Sequence, residues 1–345
     1  MKRCSRFSQW QGIVLCGLMS LGMVVVTNSL VYAQRYSFTD LGHLGGGRSF
    51  ANGINNAGQA VGWSTVLGNT SHVFLYKDRN MLPLSIGGIY ATANDINGSE
   101  LVVGQTGEGY AFLYDHGAVT IFPGLVSGAQ SAAYAINNSG SMVGHANTSS
   151  TRYAMIWSPG KIPMNINKWG GRTSVAYGIN DIGQVVGEAA TPSGGPLRAF
   201  LYQNGVMTDL GTLGGGKSAA YAINNSGQVV GASEFLPGNT ATHAVLYNPG
   251  ENPRDLLGPP RLASSAAKGI NKFGHVVGWF NIAGYSKRAF LYKNGTMQDL
   301  NTLMDSTGTG WTLSQATAIN DNGQIVGHAV YKNGTSHGFL LTPVP

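Results

Sequence analysis

Short segments of alternating apolar and polar residues cover most of the chain, and one such pattern recurs. It consists of Ile-Asn, a short polar stretch that usually includes Gly, and then Val-Gly, at fixed internal spacing. Seven copies occur, at 54–62, 96–104, 136–144, 179–187, 223–231, 270–278 and 319–327. Their starts lie 42, 40, 43, 44, 47 and 49 residues apart. A second motif, typified by Ala-Phe-Leu-Tyr, follows each copy, at 73–76, 111–114, 154–157, 199–202, 244–247, 289–292 and 338–341. The period predicts seven structural units.

The sequence of each unit predicts four short antiparallel strands and no helix. In the fifth unit the strands fall at 218–224, 228–233 and 243–247, with a fourth before Asp255-Leu256. The first two strands are joined by Asn224-Asn225-Ser226-Gly227, where Asn side chains can cap the backbone and Gly accepts a positive φ. Asn204-Gly205 and Asn294-Gly295 are typical of two-residue hairpins, which need a positive φ at both central residues.

Four-stranded units of 40 to 49 residues predict an all-β, seven-bladed propeller over residues 34–345. The seventh unit ends after its third strand, at 338–342, while a strand at 36–40 has no unit of its own. If that strand completes the last blade, the ring closes without a free edge. A β-solenoid is the alternative, although it would leave this strand unpaired. An outer-membrane barrel is disfavoured because its strands need about 9–11 residues.

The first 33 residues have the features of a signal peptide. Lys2, Arg3 and Arg6 precede an apolar stretch at 13–26, and Ala33 provides a small residue for cleavage before Gln34. A retained membrane anchor is the alternative. Both cysteines, Cys4 and Cys16, lie in this segment, so the mature chain is expected to contain neither a disulfide nor a thiolate site. We therefore expect an exported, secreted protein with no membrane span after cleavage.

Composition narrows the classes of function. Charged residues make up 10% of the chain, Gly accounts for 51 of 345 residues, and the net charge is +6. Removal of the three leader bases lowers the net charge to +3, which is too small and too scattered for nucleic-acid binding. A coiled coil and an acidic disordered chain are excluded by the same scarcity of charge.

The repeats also carry a family resemblance. His243-Ala244-Val245-Leu246-Tyr247 and the run from 209 to 231, which includes Asp-Leu-Gly-Thr-Leu-Gly-Gly-Gly, resemble the bacterial extracellular HAF repeat family over 36–341. The resemblance implies an extracellular repeat protein, but no activity, since the family has no established biochemical function. Many members end in a Val-Pro-Glu-Pro sorting signal and a membrane helix. This chain ends in Thr342-Pro343-Val344-Pro345, which favours free secretion over anchoring.

One segment matches a nucleotide-binding expression. Residues 211–218 fit GxxxxGK[ST], but a P-loop leads into a helix whereas this segment leads into a predicted strand. The related copy at 42–49 has Arg48 in place of the lysine. We therefore expect no nucleotide, and interpret the glycines as the crossing from one blade to the next.

Histidines and carboxylates give no catalytic or metal signature. His72, His243 and His337 share one repeat position, which indicates blade packing, and His145 and His328 share another, directly after Val-Gly. Zinc is disfavoured because these histidines belong to different blades. Asp residues at the ends of outer strands are expected to cap turns, at Asp40, Asp209, Asp255 and Asp299. We expect no cofactor, no metal and no catalytic residue.

The loops that vary between repeats indicate a binding face. In a propeller the loops after second and fourth strands emerge on one side, around the channel. Aromatic, amide and hydroxyl groups there suit a sugar or peptide. The candidate ligand-binding residues are Trp63, Trp279, Trp169, Trp311, Arg152, Arg198 and Glu188. The alternative for each tryptophan is packing on its own blade.

Two classes of function follow. The first is a monomeric, secreted, non-catalytic module that binds a glycan or an extracellular protein through this face. The second is an extracellular enzyme acting on polysaccharide, a hydrolase or lyase, with Glu188, Glu234 or His145 near the channel, by analogy with other propellers. A structural role in an extracellular matrix is a third hypothesis.

Overall fold

The computed structural model describes residues 34–344 apart from 69, 192–193, 239, 258–263 and 282–285. The predicted signal peptide, 1–33, lies outside the described residues. The described chain forms seven four-stranded antiparallel sheets, the blades of a propeller, as predicted.

The strands are grouped by their place in each blade. The inner strands are β2 (Ser49–Ile54), β6 (Thr92–Ile96), β10 (Ser131–Ile136), β14 (Ser174–Ile179), β18 (Ser218–Ile223), β22 (Ser264–Ile270) and β26 (Trp311–Ile319). The second strands are β3 (Ala60–Thr65), β7 (Val102–Gln105), β11 (Met142–Asn147), β15 (Val185–Ala190), β19 (Val229–Glu234), β23 (Val276–Asn281) and β27 (Ile325–Tyr331). The third strands are β4 (Ser71–Lys77), β8 (Ala111–Asp115), β12 (Arg152–Trp157), β16 (Leu197–Gln203), β20 (Thr242–Tyr247), β24 (Arg288–Lys293) and β28 (Ser336–Pro343). The outer strands are β5 (Asn80–Pro83), β9 (Ala118–Phe122), β13 (Met164–Asn165), β17 (Val206–Asp209), β21 (Arg254–Asp255), β25 (Thr296–Asp299) and β1 (Tyr36–Asp40).

The amino-terminal strand closes the ring. β1 pairs antiparallel with β28, in a register that runs from Tyr36 opposite Pro343 to Asp40 opposite Phe339. The seventh blade therefore has the order β1-β28-β27-β26, with strands from both ends of the propeller. The predicted closure is confirmed, and it removes the exposed edge that a broken ring would leave.

The Asn of every Ile-Asn motif belongs to a closed ring of hydrogen bonds, here called the asparagine ring. In each blade its Nδ2 donates to the backbone carbonyl of the equivalent Asn in the next blade, at 2.9–3.1 Å. The last bond runs from Asn320 to Asn55 and joins the seventh blade to the first. All members are buried: Asn55, Asn97, Asn137, Asn180, Asn224, Asn271 and Asn320. The motif thus connects the blades as well as capping the turns.

The Gly of every Val-Gly motif lies where the second strand crosses close to the inner strand. A Cβ at Gly231 would lie 1.9 Å from the carbonyl oxygen of Ala219, and the six equivalent glycines meet inner-strand backbone at 1.9–2.1 Å. Next to this crossing, the register of the inner strand shifts by one residue in all seven blades. Such a bulge changes the direction of the side chain it contains.

The core lies between neighbouring blades. The Phe of the second motif is fully buried wherever it occurs, at Phe74, Phe112, Phe200, Phe290 and Phe339. The prediction of no helix needs one correction, because α1 (Leu300–Leu303) and a single 3-10 turn at Ser306–Gly308 follow β25. Asp299 caps α1 by accepting from the Asn301 amide, and Leu300 and Leu303 are buried in the core of the last blades.

Candidate functional site

Seven bulged side chains line the central channel. They have no pairing partner on the second strand, and all of them border a channel segment of ≈ 220 Å³. This set, the channel ring, consists of Asn52, Asn94, Tyr134, Tyr177, Tyr221, Lys268 and Thr317. The side chains of Asn52, Asn94 and Thr317 donate hydrogen bonds to backbone carbonyls of neighbouring inner strands. The three tyrosines and the lysine instead form one continuous wall.

The wall is held by aromatic contacts. The ring centroids of Tyr134 and Tyr177 are 5.3 Å apart, and those of Tyr177 and Tyr221 are 5.4 Å apart. The Lys268 Nζ lies 3.5 Å from the centroid of the Tyr221 ring, within the range of a cation–π contact. Burial raises the pKa of Tyr221 to about 12 and lowers the pKa of Lys268 to about 8. The phenols therefore stay protonated at neutral pH.

A second set of seven residues, here called the mouth ring, follows Val-Gly on the second strands. It consists of Trp63, Gln105, His145, Glu188, Ala232, Trp279 and His328. Each is paired with the inner-strand residue four positions before the Ile of the motif, as Glu188 is with Val175. This is the end of the blade farther from the asparagine ring. The mouth ring therefore lies on the loop face, which comprises the connections after the second and fourth strands.

Glu188 joins the two rings. Its Oε1 accepts a hydrogen bond of 2.9 Å from the Tyr177 hydroxyl. Burial raises the pKa of Glu188, and the charges of Lys268 and Arg152 oppose that rise. The carboxyl group is thus fixed in position and lies within the electrostatic influence of two cations.

The two histidines of the mouth ring are uncharged at neutral pH. Burial lowers the pKa of His145 and of His328 to about 4, with further contributions from Arg152 and Lys287. His145 Nδ1 is buried without a hydrogen-bond partner, and its ring packs 5.7 Å from that of Tyr134. No cluster of three or more ligating side chains occurs between residues 34 and 344 where they are described.

Trp63 borders a cavity of ≈ 310 Å³ between the first two blades. The cavity is lined by Arg48, Trp63, Thr65, Ser71, Tyr90, Ala91 and Thr92. Phe50 stacks on the Trp63 ring with centroids 4.3 Å apart, which fixes the indole in position. Tyr90 is 61% exposed and has a φ of +68°, a backbone conformation that is uncommon outside glycine and often marks ligand contacts.

The structure brings together four of the seven sequence-predicted site residues. Trp63, Glu188 and Trp279 belong to the mouth ring, and Arg152 lies at its rim, close enough to shift the pKa of His145. The Nζ of Lys287 lies 4.0 Å from the centroid of the Trp279 ring.

The other three predicted residues lie elsewhere. Arg198 forms an ion pair of 3.2 Å with Asp209, at the start of a third strand and away from the axis. Trp169 packs against Phe200 and donates to the Met207 carbonyl.

Trp311 packs among Phe38, Tyr331 and His337 in the seventh blade. For Trp169 and Trp311 these contacts correspond to the packing alternative.

The carboxylates at outer-strand ends are confirmed as turn caps. Each accepts from the amide two residues later, at 2.8–2.9 Å, for Asp40, Asp209, Asp255 and Asp299. In the last four blades the same Asp also pairs with a basic residue that begins the third strand: Arg198, His243, Arg288 or His337. Two of the histidines assigned to blade packing therefore have a defined partner.

The segment that matches the P-loop expression leads into a strand. It crosses from β17 to β18, and the Glu234 Oε2 accepts from the amides of Gly216 and Lys217 at 3.1 and 3.0 Å. These are the amides that a phosphate would need. The sequence-based interpretation as a blade crossing agrees with this geometry.

Sequence reasoning missed the channel ring. Its members occupy the position two residues before the Ile of each Ile-Asn motif, and that position varies from Asn to Tyr, Lys and Thr. The one sign in the sequence was that the residue type at this position varies within an otherwise regular inner strand. It gave no indication that a bulge turns these side chains toward the axis.

The fold and the two rings define the class of protein, a seven-bladed β-propeller with an aromatic and charged channel mouth. A family described as "Protein of unknown function (DUF3466)" matches residues 217–338, the carboxyl-terminal part of the ring. No curated protein matches the chain. No helix in the part of the chain that the structure describes has the length and apolar character needed to span a membrane.

Several solved structures are similar in fold. A puromycin-hydrolyzing peptidase of Mycobacterium tuberculosis aligns with a TM-score of 0.55 at 13% identity, over 88% of this chain and 52% of that chain. TolB of Acinetobacter baumannii aligns with a TM-score of 0.45 at 11% identity, over 84% of this chain and 81% of that chain. The six-bladed lectin of Aleuria aurantia aligns with a TM-score of 0.32 at 10% identity, over 91% of this chain and 96% of that chain. At these identities the likeness concerns the fold alone.

Proposed function

We propose that this protein is an exported, non-catalytic binding protein that recognises a glycan through the loop face around the channel mouth. The observation that carries the proposal is the cavity beside Trp63, which combines two aromatic side chains with Arg48 and the hydroxyl-bearing residues Thr65, Ser71 and Thr92. Aromatic faces pack on the apolar faces of pyranose rings, while hydroxyl and guanidinium groups hydrogen-bond to sugar hydroxyls.

The size and rigidity of the cavity support a sugar ligand. A volume of ≈ 310 Å³ is at the lower end of small-molecule sites, and suits one or two sugar units. Phe50 holds the Trp63 indole in one orientation, so little side-chain entropy is lost when a ligand binds.

The carboxylates favour binding over catalysis. The Glu234 carboxylate accepts hydrogen bonds from two backbone amides, and the Glu188 carboxylate accepts one from the Tyr177 hydroxyl. Glycoside hydrolysis uses a pair of carboxyl groups that face the same bond. Each of these two carboxyl groups has a positioning contact of its own, which is why we place the enzyme hypothesis second.

Export and family membership are parts of the same proposal. The leader at 1–33 and the similarity of 209–231 to the HAF repeat both favour a secreted protein of that repeat family. A monomer is the oligomeric state we propose, since the ring closes within one chain.

A glycan array tests the proposal. The purified protein is expected to bind a defined subset of glycans, and Trp63→Ala combined with Trp279→Ala to weaken that binding by about tenfold or more. Phe273→Ala is the matched control, because Phe273 is 61% exposed and lies in an asparagine-ring turn on the opposite face. Equal binding by all three proteins, or no glycan bound by the folded protein, would contradict the proposal.

A further inference from the structure

Lys268 is the one cation of the channel ring, and among the described residues it forms no direct ion pair, although the charge of Glu188 acts on it. The six equivalent positions hold Asn, Tyr or Thr. The ion pairs of lysine and arginine among residues 34–344, where described, involve Lys77, Arg198, Lys272 and Arg288, and none includes Lys268. Its ammonium group lies over the Tyr221 ring and borders the open channel. An enclosed cation of this kind is costly unless something neutralises it.

Cations and carboxyl groups both surround Lys268, and the carboxyl groups are held by contacts of their own. Lys287 lies close enough to lower the pKa of both Lys268 and His328, and Arg152 acts on His145 from the rim. Glu188 is the one carboxylate within the two rings, and burial raises its pKa while the Tyr177 hydroxyl holds it. Asp95 borders the same channel segment, one residue nearer the asparagine ring, where it accepts from the Ile96 and Ile136 amides. Three cations thus lie around two carboxyl groups, and both carboxyl groups already accept hydrogen bonds within the protein.

We infer that the channel mouth binds the carboxylate of an acidic sugar, with the Lys268 ammonium as its partner and the wall of Tyr134, Tyr177 and Tyr221 packed against the pyranose ring. The inference rests on the proposed function and names its substrate class, a glycan that contains uronic acid. One ammonium group complements the single charge of a carboxylate. Aromatic rings on the same wall add the packing that a sugar needs and a free anion does not.

The dimensions of the channel agree with this ligand. A segment of ≈ 220 Å³ admits one sugar ring and is too small for a folded protein element. The Trp63 cavity opens on the same loop face and is suited to adjoining units of the same glycan. The acidic unit would occupy the channel at the level of the channel ring, and neutral units the cavity.

The test compares trigalacturonate with its fully methyl-esterified form, which has the same sugars without the charges. Isothermal titration of the wild-type protein is expected to show tighter binding of the free acid by about ten- to a hundredfold, the range for a charge-assisted contact. Lys268→Met is expected to remove that difference and leave binding of the ester unchanged. Lys332→Met is the matched control, since Lys332 also lies over a tyrosine, Tyr331 at 5.7 Å, but does not line the channel.

Two further arms keep the inference falsifiable if Lys268→Met alters folding. Thermal melting verifies the fold of each variant, and Lys287→Met, at the exposed rim, is expected to reduce the preference for the acid by a smaller factor. Equal binding of acid and ester by the wild-type protein overturns the inference. So does Lys268→Met when it weakens both ligands alike.

The remaining outcomes separate the inference from the proposed function. Binding of neutral glycans that depends on Trp63, without binding of trigalacturonate, overturns the inference and leaves the proposed function standing. Binding of no glycan by the folded protein overturns both. Binding of peptides through a free carboxyl terminus that depends on Lys268, without any sugar, overturns the assignment to an acidic glycan.

Discussion

Replacement of Asn320 by Ala should destabilise the propeller at the point where the ring closes. The Asn320 Nδ2 donates to the Asn55 carbonyl at 2.9 Å and to the Gln324 side chain at 2.8 Å. Its Oδ1 accepts from the amides of Asn322 and Gln324 at 3.0 and 2.9 Å. The substitution therefore removes four hydrogen bonds from a buried position and leaves the Asn55 carbonyl with the Gly58 amide of its own turn as donor, so the contact between the first and last blades is lost.

The size of the effect follows from these four bonds. At about 1 kcal/mol net for each, the free energy of unfolding should fall by about 4 kcal/mol. The entropy of unfolding is roughly 2 cal/mol/K per residue, so a chain of this size should melt about 6 °C lower. Urea denaturation followed by circular dichroism measures the first quantity, and thermal scans measure the second.

Two companion variants separate the ring from the turn. Asn322→Ala, two residues away and exposed, removes a single 2.8 Å bond to the Asn56 carbonyl and should cost about 1 kcal/mol or less. Asn320→Asp keeps the acceptor for the turn amides but has no donor for Asn55, so it should be no more stable than Asn320→Ala. If Asn320→Asp approaches the wild type, or if the two alanine variants are equally stable, the asparagine ring does not stabilise the closure.

Three other predictions concern the repeat glycine, acid stability and ligand charge. Gly231→Ala places a Cβ 1.9 Å from the Ala219 carbonyl and should lower the unfolding free energy by about 2 kcal/mol or more, as measured in urea; stability equal to the wild type would contradict the close approach. His145 and His328 have folded pKa values of about 4 against 6.5, so the stability from keeping them neutral is present above pH 6.5 and declines from there towards pH 4. The Tm should therefore fall between pH 6.5 and pH 4, and it should fall less in a variant in which His145 and His328 are both replaced by Gln. A double variant with the same pH profile as the wild type would contradict this prediction. Because the pKa of Lys268 is about 8, affinity for trigalacturonate should be constant from pH 6 to 7 and decline above pH 8 in titrations, while Lys268→Met shows no such decline.

Strand order and ring closure could be predicted because they depend on local signals that repeat. The Ile-Asn and Val-Gly motifs mark the same turn and the same strand crossing seven times, so an error in one unit is corrected by the other six. The need of an antiparallel edge for a partner predicts that the strand at 36–40 belongs to the last blade. The turn-capping role of Asp209 and its equivalents followed from the chemistry of Asp alone.

The asparagine ring and the channel ring could not be predicted in the same way. Asn224 caps its own turn, as expected, but its bond to the Asn271 carbonyl depends on the distance between two blades. Tyr177 would face a neighbouring blade in a regular strand, and the bulge turns it toward the axis instead. The one-turn helix α1 could not be predicted, because it has four residues after the capping Asp299 and so shows no repeat of the helical hydrophobic pattern.

The candidate site was predicted in part for a related reason. Loop variability predicts Trp63, Glu188 and Trp279, and these three residues occupy one repeat position at the channel mouth. Trp169 and Trp311 are predicted from their place in the crossings after the outer strands, and that place does not distinguish a contact surface from packing inside a blade.

The most direct test of the account is a crystal structure of the protein with the tightest glycan from the array. We predict a sugar against Trp63 and the channel mouth on the loop face, with any uronate carboxylate within hydrogen-bonding distance of the Lys268 Nζ. A glycan bound instead at the asparagine-ring turns, or along the outer strands, would contradict the assignment of the loop face as the binding surface.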